Sequence, residues 1–113
     1  MVTHQMKLGR VPFDKIASDT KVIESRLYDE KRRAIKLDDQ IEFSSNENPD
    51  EKILTRVKAL YIYPSFEYLF ADFSPNLFGG NSKEELLKEI NHFYSPQDQK
   101  EFGVVGIRIE KVQ

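Results

Sequence analysis

Ser18-Asp19-Thr20-Lys21-Val22-Ile23-Glu24-Ser25-Arg26-Leu27-Tyr28-Asp29-Glu30-Lys31-Arg32-Arg33 is the stretch from which the rest of the chain is read. Lys21 to Tyr28 has the β-branched and aromatic content of a strand, yet it also carries three ionisable side chains, Lys21, Glu24 and Arg26. In a regular strand Val22, Glu24, Arg26 and Tyr28 share one face, and Ile23, Ser25 and Leu27 share the other. Glu24 and Arg26 are then same-face neighbours, about 6.5–7 Å apart along the strand. Strict alternation sends Lys21 to the opposite face. It joins the other two only from the loop–strand junction, before the pleat begins. The Asp29 to Lys36 connection that follows is charged and holds four of the chain's 17 basic residues.

A chain of 113 residues has the usual size of one domain, here taken as residues 1–113, and buries a single modest core. A hydrophobic content of 39%, with 12% aromatics, suits a folded protein, and Phe and Tyr supply much of the bulk in the absence of Trp. The net charge of −2 argues against a general polyanion binder, which needs a broad positive surface. With no cysteine there is no disulfide, thiolate metal site or thiol nucleophile. His4 and His92 lie far apart, so no metal site and no cofactor are expected. No apolar run approaches the roughly 18 residues of a membrane helix, and the polar start has no signal-peptide core. A cytoplasmic protein is the expectation; oligomeric state is left open.

Outward from the opening stretch, His4 to Leu8 alternates as a short strand with Met6 and Leu8 inward. Pro12 to Ser18 follows as a short helix, with Pro12 in its first turn and Phe13, Ile16 and Ala17 at helical spacing. Asp19 closes it. On the other side, Asp38-Asp39 marks a turn and Gln40 to Phe43 a strand with Ile41 and Phe43 inward. Ser44 to Glu51 is a solvated loop. Ile53 to Tyr63 is a long strand bounded by Pro64, of the kind that bends when a sheet curls into a barrel.

Beyond Pro64 the period changes to helical. Ser65 caps a helix over Phe66 to Ala71. Ser82-Lys83-Glu84-Glu85 has the capping-box pattern, and Leu86, Leu87, Ile90, Phe93 and Tyr94 follow at helical spacing, with Phe93 expected to be buried. Ser95-Pro96-Gln97-Asp98 starts a further helix that Gly103 ends. Val105, Ile107 and Ile109 alternate in a closing strand. Such an order of strands and helices describes an α+β domain built on a small curved sheet or β-barrel with flanking helices.

Lys21-Val-Ile-Glu24-Ser-Arg26 resembles the G-x-K-x-x-E-x-R signature of the ASCH domain, one of the PUA-like small β-barrels. The resemblance covers most of the chain. It includes His4, Met6 and Leu8, the Pro12-Phe13-x-x-Ile16 helix, Asp29, Lys31 and Arg32, and the Gly103 to Ile107 strand. Asp19 stands where the family usually has Gly, and Asp38 where a Gly-Asp turn is usual. Asp tolerates positive φ, so small losses of stability are expected there, with no change of fold. The resemblance implies an RNA-related role, as PUA-like barrels commonly bind RNA. Some ASCH-like relatives are amidohydrolases acting on N4-acetylcytidine. They pair the motif lysine with a threonine, where this chain has Glu24, and with a glutamate further along.

Three readings of the charged residues follow. In the first, Lys21, Glu24 and Arg26 line a cleft that binds RNA or a nucleotide-like ligand: Arg26 grips a phosphate or carboxylate, Glu24 orients it or accepts a base N–H, and Lys21 adds charge. Lys31 and Arg32 then contact the nucleic-acid backbone. In the second, the protein is a small hydrolase of a modified nucleoside or of RNA, with Lys21 as base and Glu24 as its catalytic partner. In the third, Glu24 and Arg26 are a surface ion pair of an interaction module, worth roughly 0–1 kcal/mol, and Lys31 to Lys36 a solvated run. Tyr28, Tyr61 and Tyr63 are either stacking surfaces or core, Tyr61 being the core candidate. His4 reads as a strand-end polar residue and His92 as a surface residue. Thr20 and Ser25 have no histidine partner to make either a nucleophile. Gly79-Gly80 lacks the Lys-Ser/Thr of a phosphate-binding loop and reads as a plain turn.

Overall fold

The computed structural model describes residues 2–112. Five strands form one sheet: β1 (Thr3–Leu8), β2 (Ile23–Leu27), β3 (Gln40–Ser45), β4 (Lys52–Tyr63) and β5 (Val104–Lys111). Their spatial order is β1-β3-β4-β5-β2, so the first two strands of the chain are the two edges. The β1–β3 pair is parallel and the other three are antiparallel. β4 bends at a register shift between Val57 and Ala59, and the sheet curls into a half-barrel, as its length and aromatic content led us to expect. This is an α+β architecture built on a small curved sheet.

Five helices dress the sheet: α1 (Arg10–Ala17), α2 (Glu30–Arg33), α3 (Phe66–Ala71), α4 (Lys83–Ile90) and α5 (Pro96–Phe102). β5 is a central strand and is buried on both faces. Val105, Ile107 and Ile109 join Met6, Leu8, Phe13, Ile16, Ile41 and Phe43 in one apolar cluster inside the curl. Val104 belongs to the other, with Ile23, Leu27, Phe66, Leu69, Phe70, Phe78 and Leu86 beneath α3 and α4. Gly106 lets α3 lie close: a Cβ there would stand 3.0 Å from a Leu69 methyl and 3.2 Å from Ile23.

Several local expectations hold. Asp19 and Asp38 both adopt positive φ, 63° and 70°. Ser65 caps α3, and Ser95 with Asp98 forms a complete capping box on α5. Other details differ. At α4 Ser82 does accept from the Glu85 amide, but the Glu85 carboxylate turns to Asn81 instead of closing the box. That helix stops at Ile90, capped by Asn91, so Phe93 falls in the following turn and is 76% exposed rather than buried. Ala17 is exposed too, at the open side of α1. The charged connection after β2 contains α2, a single turn capped by Asp29, which accepts from the Arg32 amide.

Candidate functional site

β2 begins at Ile23, so Lys21 precedes the pleat. Its amide donates to the Lys15 carbonyl at the end of α1, and Val22 donates to Leu77. These contacts free Lys21 from strand alternation and turn its side chain toward Glu24. Along β2 itself, Glu24 and Arg26 lie opposite Ile107 and Val105 of β5, and therefore face the inside of the curl. The three side chains converge.

Lys21 Nζ lies 3.1 Å from Glu24 Oε1, and Arg26 Nε donates to Glu24 Oε2 at 2.7 Å. Both cations hold a second anchor. Lys21 donates to the Phe78 carbonyl at 3.3 Å, and Arg26 donates from its terminal nitrogen to the Lys7 carbonyl at 3.1 Å. Tyr94 lines the same cleft as Arg26. The Glu24 side chain is only 5% exposed, against 12% for Lys21 and 14% for Arg26, so this is not a surface pair. Burial pushes the Glu24 carboxyl up, but the Lys21 ammonium and Arg26 guanidinium outweigh it and hold it below the usual carboxylate range. Burial likewise opposes the charge on Arg26, and Glu24 beside it keeps the guanidinium above its ordinary value.

These residues floor a cleft of about 250 Å³ along the free edge of β2. Its walls come from the second apolar cluster and the turn after α4, with Phe70, Phe78, Leu86, Ile90, Phe93 and Tyr94, and the first cluster adds Leu8. Lys7, Asn46 and the exposed Glu89 stand with them. Gly79 shapes this wall. It ends the 3-10 turn Pro75–Phe78 at φ 83°, a conformation that side chains rarely take, and a Cβ there would meet Lys15 and Lys21 at 3.1 Å. The Gly79 carbonyl accepts from Lys15 at 2.6 Å. The plain turn of the sequence thus holds both Lys15 and Lys21 through backbone oxygens.

Lys31 and Arg32 are not part of the cleft lining. They sit on α2, where Arg32 bonds Asp29 at 2.9 Å and Lys31 is exposed. Arg33 lies over the Tyr28 ring at 4.3 Å, which occupies that face of Tyr28. Tyr61 packs on Phe73 with ring centroids 4.5 Å apart, and Tyr63 bonds Asp72. His4 pairs with Asp39 at 2.9 Å, and His92 is exposed. No group of three His, Cys, Asp or Glu side chains among the described residues has the placing of a metal site. Sequence reasoning missed Phe93, Tyr94, Phe78 and Glu89 as cleft residues. The helical spacing of Phe93 and Tyr94 was a visible signal, but for Phe93 it pointed to burial.

The sequence profile of the ASCH domain matches residues 6–113. The chain belongs to the ASCH domain family. No curated protein matches it. This ASCH domain is similar to hypothetical protein PH0355, whose crystal structure superposes with a TM-score of 0.87 at 34% identity, covering 98% of this chain and 100% of that one. Protein PF0455 from Pyrococcus furiosus, solved by NMR, gives 0.75 at 34% identity with 99% of each chain covered. The crystal structure of an ASCH protein from Zymomonas mobilis shares the fold at 14% identity: TM-score 0.58, 96% of this chain and 66% of that one. Among the described residues no helix is long and apolar enough to cross a membrane.

Proposed function

We propose that this ASCH domain binds RNA or a nucleotide-like ligand in the cleft above Lys21, Glu24 and Arg26. The observation that carries the reading is the convergence of two cations on one buried carboxylate beneath an aromatic wall. A lone surface pair would leave no concave surface and no desolvated charge. Here Glu24 fixes both cations, so their remaining N–H bonds are held ready for a ligand. The aromatic residues supply the flat apolar surface that nucleobases stack on. Lys31, on α2, contributes as a backbone contact outside the cleft. A cytoplasmic location is part of the same proposal.

The hydrolase reading asks Lys21 to be a base and Glu24 its partner. The contacts of Lys21 with Glu24 and the Phe78 carbonyl hold it in place, which is all that binding asks of it, whereas catalysis also needs a lone pair aimed at substrate. Binding is therefore favoured. Nucleosides, including N4-acetylcytidine, and short RNAs are screened for binding and for product in the same samples. Binding without turnover in the wild type, lost in Arg26→Ala with the fold retained, supports the proposal. Consumption of acylated nucleoside or RNA that stops in Lys21→Ala replaces it with the hydrolase. Neither binding nor turnover leaves the charged cluster as a structural feature of an interaction module.

A further inference from the structure

β2 leaves part of its main chain unpaired. In an antiparallel pair every second residue exchanges its N–H···O bonds with the partner strand, and the residues between turn theirs the other way. Ile109 donates to the Val22 carbonyl, and Tyr28 to the Gly103 carbonyl. Between these bonds the register sets Glu24 opposite Ile107 and Arg26 opposite Val105. Glu24 and Arg26 therefore bond toward β5, while Ile23, Ser25 and Leu27 turn N–H and C=O to the outer side. β2 is an edge of the sheet, so no strand meets them there.

Of these three, Ser25 lines the cleft. It is 8% exposed, and among the described residues no hydrogen bond reaches its N–H or its C=O. Buried main-chain groups are paired in the great majority of cases, so an open donor and acceptor in a cleft floor call for a partner from outside the chain. β1, across the cleft, is built the same way but is partly served. The Val2 and Leu8 carbonyls accept from Gln40 and Asn46, so Thr3, Gln5 and Lys7 turn outward, and the Lys7 carbonyl accepts from Arg26. The Ser25 main chain has no such protein partner.

In an extended strand the N–H and C=O of one residue lie side by side and aim the same way. They match a planar group that carries an acceptor next to a donor, as an amide, an imide or an amidine does. A phosphate or carboxylate matches the N–H alone and sets its oxygens against the carbonyl. Every nucleobase has such an edge, so the Ser25 main chain does not separate one base from another. It separates ligands that have the edge from those that lack it. Resting on the nucleotide-binding reading above, we infer that the ligand pairs with the Ser25 N–H and C=O through an amide-like edge, adding to β2 as a neighbouring strand would. The Ser25 hydroxyl has no part in this, because alternation sends it to the face of Ile23 and Leu27, over the second apolar cluster.

The test follows the amide resonances of the isotopically labelled protein during titration with uridine, 3-methyluridine, benzamide and ribose 5-phosphate. 3-Methyluridine keeps the ring, the sugar and both carbonyls of uridine and lacks only the ring N–H. Benzamide carries the edge without a sugar. Uridine and benzamide are expected to shift the Ser25 amide and slow its hydrogen exchange, while the Glu24 and Arg26 amides, already bonded to β5, exchange slowly throughout. 3-Methyluridine is expected to bind about tenfold or more weakly than uridine, because the Ser25 carbonyl is left unmet. Ribose 5-phosphate is expected to leave the Ser25 amide unmoved. Ser25→Ala should bind like the wild type, and Ser25→Pro, which removes the N–H where an edge strand tolerates proline, should not bind. Equal binding of uridine and 3-methyluridine overturns the inference, whether or not Ser25→Pro folds. Loss of binding in Ser25→Ala assigns the contact to the hydroxyl and overturns it too. Uridine binding that leaves the Ser25 amide unmoved overturns the inference while the nucleotide-binding reading stands. Benzamide binding at Ser25, with no nucleoside or short mixed-sequence RNA bound, keeps the main-chain edge and overturns the nucleotide-binding reading. Failure of every probe and of that RNA overturns both.

Discussion

Glu24 and Arg26 form a 2.7 Å ion pair two residues apart on one edge strand, and Lys21 closes on the same carboxylate from outside the strand. Removing the shared anion leaves two poorly solvated cations beside each other. Glu24→Gln is therefore expected to cost about 3 kcal/mol, the usual scale for breaking a buried ion pair from one side. Urea unfolding with an unchanged m-value measures it. The double variant Glu24→Gln/Arg26→Met should cost less than the sum of the two singles, because the second change removes one stranded charge. Additive losses would show that the three side chains are not energetically coupled.

A second carboxylate gives the acid limb of the stability curve. Asp39 accepts from His4 and from the backbone amides of Lys36 and Val2, and these bonds lower its pKa to about 2. An unfolded aspartate titrates at about 3.9, so between these values the unfolded chain binds more protons than the folded one. The stability contributed by Asp39 is fully present above about pH 4 and is lost as the pH falls toward 2. Glu24, also held low, acts in the same direction. Thermal melts from pH 5 downward, on the order of half-unit steps, should fall less steeply in Asp39→Asn than in the wild type. Parallel curves would contradict the assignment.

Asp19 and Asp38 hold positive φ where a glycine would be free of strain. Glycine at Asp38 keeps both backbone bonds of the turn, the amide to Val57 and the carbonyl from Arg56. Relief of the left-handed strain then outweighs the extra freedom of the unfolded chain, and Asp38→Gly should stabilise by up to about 1 kcal/mol. Asp19→Gly gains less, because it also gives up the 3.4 Å contact with Lys111. Denaturation midpoints rank the two. A loss at Asp38 would mean that its side chain supports the turn.

Those two aspartates illustrate what was legible in the sequence. The strands were visible because one face of each is apolar: Met6 and Leu8, Ile41 and Phe43, Val105, Ile107 and Ile109 are all buried. Caps at Ser65 and Ser95 were visible because side-chain oxygens act within three residues. Features set by distant contacts were hidden. Where the pleat of β2 begins depends on Lys21 bonding Lys15 and on Phe78 lying 57 residues away. The end of α4 could not be read either, because Phe93 and Tyr94 continue the apolar period past the last helical residue. A helix period reports which residues would share a face and not how far the helix runs. Phe93 therefore read as core, and emerged as the exposed rim of the cleft.

Arg26 has a mechanical role that its charge alone does not describe. It donates to Glu24 on its own strand and to the Lys7 carbonyl of β1. β1 and β2 are opposite edges of the sheet and share no ladder, so this guanidinium spans the gap that keeps the half-barrel from closing. Lysine keeps the charge but has no rigid fork to serve both acceptors at once. Arg26→Lys should retain the pairing with Glu24 and release Lys7, so that β1 is held on one side only, by β3. The amides of β1 should then exchange hydrogen faster, by about fivefold to tenfold for a lost bond of roughly 1–1.5 kcal/mol, while those of central β5 change little. Equal acceleration in β1 and β5 would indicate a global loss of stability, and no acceleration in either would show that Arg26 does not clasp the two edges.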